Sequence, residues 1–252
     1  MSNFELHPRD RARFTVLAVI PARFGAQRFP GKPLATLWGR PMLQHVWERA
    51  REAPGIDALV IATDDERIAT AARDWGATVE MTSADCASGT DRIAEVAGRR
   101  PDVGIVLNIQ GDEPELDSDA VGRLIAAMRA EPGVMMGTLA HAEHNRAALA
   151  APDVVKVGVD AGGFGLYFTR QWPVPDPRGV VLRHVGVYAF RREFLLEFAS
   201  WPPGRLEQEE RLEQLRAVER GVKIRVVSGS RPFAGVDTPA QLAALERRGP
   251  RG

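Results

Sequence analysis

The chain has a single cysteine, Cys86, in 252 residues. An internal disulfide and a cysteine-based zinc cluster are therefore excluded, and a reducing, cytoplasmic setting is the natural expectation. Excess charge is missing too: 33 Lys and Arg stand against 33 Asp and Glu, a formal net charge of +0. Activities that rest on net charge, such as coating nucleic acid or an anionic membrane, are not expected, although local clusters stay open. There is no run of 18 apolar residues, so no membrane-spanning helix is expected. The opening stretch MSNFELHPRDRARF lacks the apolar core of a secretory signal. Neither a GxxxxGKS/T phosphate loop nor a GxGxxG dinucleotide turn occurs, and no aromatic–basic stripe suggests nucleic acid. Against these absences, 44% hydrophobic and 26% charged residues are ordinary globular composition. The 24 Gly and 18 Pro gather in loops, where function is to be sought.

Residues 15–20 (TVLAVI), 58–62 (ALVIA) and 103–109 (VGIVLNI) are apolar, β-branched runs that predict strands buried on both faces. A short strand is predicted at 78–81. Helices are predicted from Pro41 onward with Met42, Val46 and Ala50 four apart, over 66–75 with Gly76 as the stop, over 90–98, and over 117–129. Strand–helix alternation through residue 130 implies a mainly parallel α/β sheet with helices on both faces. Beyond it, strands at 134–139, 154–159, 164–168 and 182–190 with few helices between them imply a mixed sheet or an inserted β-rich subdomain. One amphipathic helix over 206–220, a strand at 224–227 and a helix over 238–247 complete the reading. With no linker or repeat in view, residues 1–13 read as a loose extension and 14–252 as one unit.

The loop PARFGAQRFPGKPL directly follows the first strand, and open α/β sheets bind ligands beyond the carboxyl ends of their strands. It carries Arg23, Arg28 and Lys32 with Gly25 and Gly31 between them. Glycines let backbone approach an anion, and each cation at 4 Å contributes roughly 4 kcal/mol gross at an effective dielectric of 20, so the set suits a triphosphate; a solvated basic loop is the bland alternative. NIQGDEPEL ends the next buried strand and brings Asp112 to the same crevice, where a divalent cation would reconcile carboxylate with phosphate. In GVDTP, Asp237 precedes a helix and on its own reads most simply as an N-cap.

Taken in order, VIPARFGAQRFPGKPL, SADCASGTDRIAEV, NIQGDEP, VVKVGVD, LYFTR, LRHVGVYAF, RLEQLRAVERG and GVDTP resemble the 3-deoxy-manno-octulosonate cytidylyltransferases, the CMP-Kdo synthetases, from residue 19 to about 240. The resemblance implies transfer of CMP from CTP to the anomeric hydroxyl of 3-deoxy-manno-octulosonate (Kdo) for lipopolysaccharide synthesis. It also implies magnesium dependence, a homodimer, and a nucleotide-diphospho-sugar-transferase-like, Rossmann-type three-layer fold with a β-rich inserted subdomain. The CTP-binding half would span about 14–130 and the sugar-binding and dimerisation half about 131–235. Arg23, Arg28 and Lys32 fall to the CTP phosphates, with Lys32, Arg28 and Asp112 as the catalytic set, and Asp112 and Asp237 to magnesium. Ser88, Gly89 and Thr90 fall near the cytosine or ribose, and Gln110 at the sugar side.

LRHVGVYAF as a strand puts Leu182, His184, Gly186, Tyr188 and Phe190 on one face, leaving room over Gly186 for a sugar ring; a half-buried core strand is the other reading. The resemblance implies that His184 and Tyr188 contact Kdo, that Glu213 and Gln214 bind its hydroxyls, and that Arg170 is a candidate for its carboxylate. Along 205–221 the expected buried stripe is Leu212, Leu215 and Val218 or Ala217. The chain departs from the family at Cys86, where His is common, at Thr169, where Ser is common, and in the short segment QWPVPDPRGVV. These departures bear on sugar selectivity, and leave sialate or 8-amino Kdo as alternative substrates and a silent nucleotide-sugar binder as another function class. Exposed apolar residues near Trp172 and Trp201 are candidates for a dimer surface.

Overall fold

The computed structural model describes residues 15–25, 29–145, 149–152, 154–171, 181–229 and 235–250. Arg28, Trp172 and the N-terminal extension fall outside that set. The first apolar run forms β1 (Val16–Ala22), buried along nearly its whole length. The basic loop follows, ending in a 3-10 turn at Lys32–Leu34 and a small hairpin of β2 (Thr36–Leu37) and β3 (Arg40–Pro41). Then come α1 (Met42–Arg51), β4 (Ala58–Thr63), α2 (Glu66–Asp74), β5 (Thr78–Met81), α3 (Gly89–Gly98), β6 (Ile105–Ile109) and α4 (Ser118–Ala130). Strand β1 pairs in parallel with β4 and β6, and β4 with β5.

Alternate residues of β1 enter opposite layers, as strand geometry requires. Val16, Ala18 and Ile20 pack with Leu43 and Val46 of α1 and Leu124 of α4. Leu17 and Val19 pack with Ile93 and Val96 of α3 on the other side. The helix starts are chemically marked. Asp65 caps α2, Ser88 and Asp91 form a capping box on α3, and Asp117 caps α4.

The later strands β7 (Met136–Glu143), β10 (Val181–Arg191) and β11 (Ile224–Ser228) extend the same sheet, in the order β11-β7-β10-β6-β1-β4-β5. Here β10 runs antiparallel to both β6 and β7. The hairpin of β8 (Lys156–Val159) and β9 (Gly165–Thr169) leaves this path and joins β10 through β8. The β-rich half is thus a mixed continuation of the central sheet with a projecting hairpin. From β1 the chain moves outward to β5, then returns across β1 to β6. The loops after β1 and β6 therefore leave from adjacent strand ends where the order reverses, which is where such sheets bind ligands.

Two readings of the second half are corrected. A helix not expected from the sequence, α5 (Arg192–Ser200), follows β10 without a side-chain cap and buries Phe194, Leu195 and Phe198. With no cap, Gly or Pro at the junction, strand runs into helix unannounced. The helix expected over 206–220 is two, α6 (Arg205–Glu210) and α7 (Leu215–Glu219), broken where Arg211 adopts a left-handed φ of 55. Leu212, Leu215 and Ala217 form the buried stripe. Trp201 packs edge-on against Phe194 and Phe198 under the Arg220 guanidinium, so it belongs to the core margin. Helix α8 (Pro239–Arg248) closes the described chain. No helix among the described residues is long and apolar enough to cross a membrane.

Candidate active site

Gly31, at φ +73, makes the turn that aims Lys32 back at the sheet; a Cβ there would also meet the Phe24 ring at 3.2 Å. The Gly31 N–H donates to the Phe24 carbonyl at 2.9 Å and closes the loop. Lys32 Nζ then lies 2.6 Å from Asp112 Oδ2 and 3.5 Å from Asp237 Oδ1. Two carboxylates separated by 125 positions of sequence thus converge on one cation, fixed by a backbone bond from Val236 N–H to the Asp112 carbonyl at 2.8 Å. The helix cap that could have explained Asp237 is supplied by Thr238, in a capping box with Gln241. Asp237 therefore remains as a charged group facing the crevice. A pair of carboxylates that already gathers a cation fits magnesium, which takes one or two carboxylates and completes its shell with phosphate oxygens and water. No cluster of three or more metal-ligating side chains occurs among the described residues.

Around this centre lies a pocket of about 230 Å³, lined by Arg23, Lys32, Gly89, Gln110, Asp112 and Asp237 among others. Arg92, missed in the sequence, also lines it. It is almost fully buried, ion-paired to Asp64 at 3.0 Å and donating to Thr82, so it ties two neighbouring loops to the pocket wall. Arg23 reaches the Ala87 carbonyl at 3.4 Å. Of the three residues expected near the nucleoside, Gly89 lines the pocket, while the Ser88 hydroxyl caps α3 and the Thr90 hydroxyl donates to Glu213 at 2.5 Å.

A second cavity of about 740 Å³ adjoins the first and shares Gln110 and Asp237 with it. Every expected sugar-side residue lines it: Gln110, Arg170, His184, Tyr188, Glu213 and Gln214. The break at Arg211 explains how two successive residues, Glu213 and Gln214, both reach it, since successive helical side chains diverge by about 100°. The Tyr188 hydroxyl donates to Gln214 Oε1 at 3.1 Å, and His184 Nε2 meets the Thr138 hydroxyl at 2.9 Å. Burial, reinforced by the Arg170 charge, lowers the His184 pKa to about 3, so the imidazole is neutral at physiological pH. Burial raises the Tyr188 and Glu213 pKa values. The room expected over Gly186 for a sugar ring is taken instead by Gln110, whose Cγ would stand 3.2 Å from a Cβ there, while the His184 and Tyr188 rings lie 5.4 Å apart on either side; Gly186 still lines the cavity.

The cavity also takes Glu113, Arg183, Arg211 and, from α8, Gln241 and Arg248. Burial and the neighbouring Asp112 charge raise the Glu113 pKa to about 8. The signal for Glu113 was its place beside Asp112 in a tight turn, where successive side chains diverge; nothing local marked Arg183 or Arg248. Of the three departures from the family pattern, Cys86 and Thr169 line neither pocket, and 172–180 of the segment QWPVPDPRGVV lie outside the described residues. The Cys86 thiol faces Glu95 at 3.3 Å, its pKa raised by burial and that contact, and the Thr169 hydroxyl donates to Glu210 at 3.1 Å.

The family model described as cytidylyltransferase matches residues 17–224. The chain belongs to the cytidylyltransferase family. Within it, similarity is to the 3-deoxy-manno-octulosonate cytidylyltransferases. The one from Syntrophotalea carbinolica is 45% identical over 245 residues, covering 92% of this chain and 97% of the relative. The one from an Anaeromyxobacter species is 49% identical, covering 94% and 98%. A solved structure of CMP:2-keto-3-deoxy-manno-octonic acid synthetase complexed with CTP superposes with a TM-score of 0.86 at 41% identity, covering 93% of this chain and 98% of that one.

Proposed function

We propose that the chain transfers CMP from CTP to the anomeric hydroxyl of Kdo, releasing pyrophosphate and giving CMP-Kdo for lipopolysaccharide synthesis in the cytoplasm. The observation that carries this reading is the junction. A small cationic pocket and a large hydroxyl-binding cavity share Gln110 and Asp237, so two substrates bound side by side would meet there.

Lys32 and Arg23, with Arg28 in the same loop, neutralise the triphosphate and the departing pyrophosphate. Asp112 and Asp237 would hold magnesium, which when bound supplies charge neutralisation at the phosphates and lowers the pKa of the attacking hydroxyl. Gln110 is held by its own bond to Asn108 Oδ1 at 3.2 Å and presents its amide to both substrates. Tyr188 with Gln214, and Thr90 with Glu213, are paired hydroxyl-binding groups that orient the sugar. The arginines of the cavity, Arg170 among them, attract its carboxylate. His184, neutral and bonded to Thr138, serves as a fixed polar wall, because a group with a pKa of about 3 does not hold a transferred proton at neutral pH. The one cysteine lies outside both pockets, in keeping with direct attack of the sugar oxygen on the α-phosphorus. A homodimer is part of this proposal: Leu166 and Tyr167 on β9 are exposed apolar side chains suited to a second copy, and sedimentation checks it.

The direct test is pyrophosphate release with CTP, magnesium and freshly prepared Kdo, beside reactions with sialate or 8-amino Kdo, and with ATP, GTP or UTP in place of CTP. Release with CTP and Kdo alone is expected. Release only with another acid would move the error to the sugar cavity, and silence throughout would favour a nucleotide-sugar-binding role.

A further inference from the structure

The acidic side chains lining the large cavity are nearly all engaged. Asp237 is paired with Lys32, Glu115 lies 2.5 Å from Arg248, Glu213 accepts from Thr90, and Glu143 accepts from Asn145 N–H. Glu113 differs. Its residue is 8% exposed, and its Oε2 is buried with no hydrogen-bond partner among the described residues. Buried carboxyl oxygens without a partner are costly and rare, and one at a cavity wall points to a bound group that completes it.

The backbone of the turn fixes where this oxygen goes. Glu113 N–H donates to the Gln110 carbonyl at 3.3 Å, and Leu116 N–H to the Glu113 carbonyl at 3.1 Å. Asp112 lines the small pocket and Glu113 the large cavity, so one turn serves both substrates with consecutive carboxylates. Gly235 closes over the other oxygen: a Cβ at Gly235 would stand 3.2 Å from Glu113 Oε1. The side chain has little room to turn away.

We propose that Glu113 is a specificity-determining residue that hydrogen-bonds a hydroxyl of the sugar acid beside the point of transfer, and so sets which way round the sugar lies. A hydroxyl both donates and accepts, and it fits a carboxyl group in either protonation state. The sugar's own carboxylate is the group least suited to this position, between Glu113 and the Asp112–Asp237 pair, and it is better served by the cavity's arginines. The inference rests on the Kdo reading of the cavity.

The test is steady-state kinetics of Glu113→Ala and Glu113→Gln with CTP and Kdo, with magnesium titrated separately and melting temperature as the fold control. The Ala variant is expected to raise the KM for Kdo at least tenfold, leaving the KM for CTP and the half-saturating magnesium within twofold. The Gln variant, which keeps a donor and an acceptor in the same space, is expected to recover most of that loss. Kdo analogues each lacking one hydroxyl complete the test: for one of them the losses from substrate and from Glu113→Ala should fail to add. An unchanged KM for Kdo, a parallel rise in the CTP or magnesium requirement, or additive losses with every analogue would overturn the role of Glu113 while leaving the proposed function standing. A wild-type enzyme that releases no pyrophosphate with CTP and Kdo would instead overturn that function, and this inference with it.

Discussion

The two pockets that meet at Gln110 and Asp237 hold their polar groups in different ways. In the small one the charged groups pair directly but stay partly exposed: Lys32 is ion-paired with Asp112 and Asp237, whose side chains are 24% and 36% exposed. Such a pairing is exchangeable, because a triphosphate can take the ammonium and a metal the carboxylates. In the large one the groups are buried and held by specific bonds, Tyr188 to Gln214, Thr90 to Glu213 and His184 to Thr138. Burial in a low-dielectric wall makes these bonds directional and expensive to rearrange. The small pocket therefore suits an exchange of ionic partners, and the large one, on the proposed function, suits a fixed pattern of hydroxyls.

That contrast breaks most visibly at Asp112. Asp112→Asn removes one of the two carboxylates proposed to hold magnesium, and several kcal/mol of transition-state stabilisation at 1.36 kcal/mol per decade implies a fall in kcat on the order of 10³. Pyrophosphate release at saturating magnesium measures it, with the melting temperature shifting by no more than about 2 °C; substantial retained activity would remove Asp112 from the mechanism. Next is Lys32→Met, expected to lower kcat/KM for CTP by about 10²-fold while sparing the KM for Kdo. Without CTP, the same variant should gain more thermal stability from magnesium than wild type does, since Lys32 no longer competes for Asp112 and Asp237.

The buried cavity has its own signature in pH. The His184 pKa is lowered from 6.5 to about 3, so the unfolded chain binds this proton more readily than the folded one. The stability held by a neutral His184 is complete above pH 6.5 and drains away as pH falls toward 3, by about 2 kcal/mol at pH 5. Urea midpoints at pH 7 and pH 5 should lie closer together for His184→Asn than for wild type; equal gaps would mean that His184 is solvated. A smaller effect comes from Gly186→Ala, whose new methyl would crowd Gln110. It should raise the KM for Kdo about tenfold, a cost of roughly 1.4 kcal/mol, and raise the KM for CTP by less, since Gln110 borders both pockets. The least effect is expected for Cys86→Ser: the thiol faces Glu95 and neither pocket, so kcat/KM should stay within about twofold.

The same contrast governs what the sequence disclosed. The small pocket is made by loops that directly follow buried strands, so Arg23, Lys32 and Asp112 were legible from their place after β1 and β6. Asp237 was ambiguous until Thr238 proved to be the cap. The parallel half of the fold was legible for a related reason: β1, β4 and β6 are continuous apolar runs, and Asp65, Ser88 and Asp117 mark where helices begin. The large cavity is a tertiary object. Strand β10, the α6–α7 break and helix α8 contribute to it from far apart in the chain. Its sugar-side residues came from resemblance, and Glu113, Arg183 and Arg248 from neither pattern nor resemblance. The left-handed Arg211 that turns Glu213 and Gln214 inward carries no Gly or Asn to announce it.

Direct transfer across the shared boundary is the central claim, and the stereochemistry at the α-phosphorus tests it most directly. CTP carrying a single α-thio diastereomer, turned over with Kdo, should give CMP-Kdo with inverted configuration at phosphorus, as one in-line displacement demands. Retention would require two displacements and a covalent enzyme intermediate, and would contradict an active site in which the two substrates meet face to face at Gln110 and Asp237.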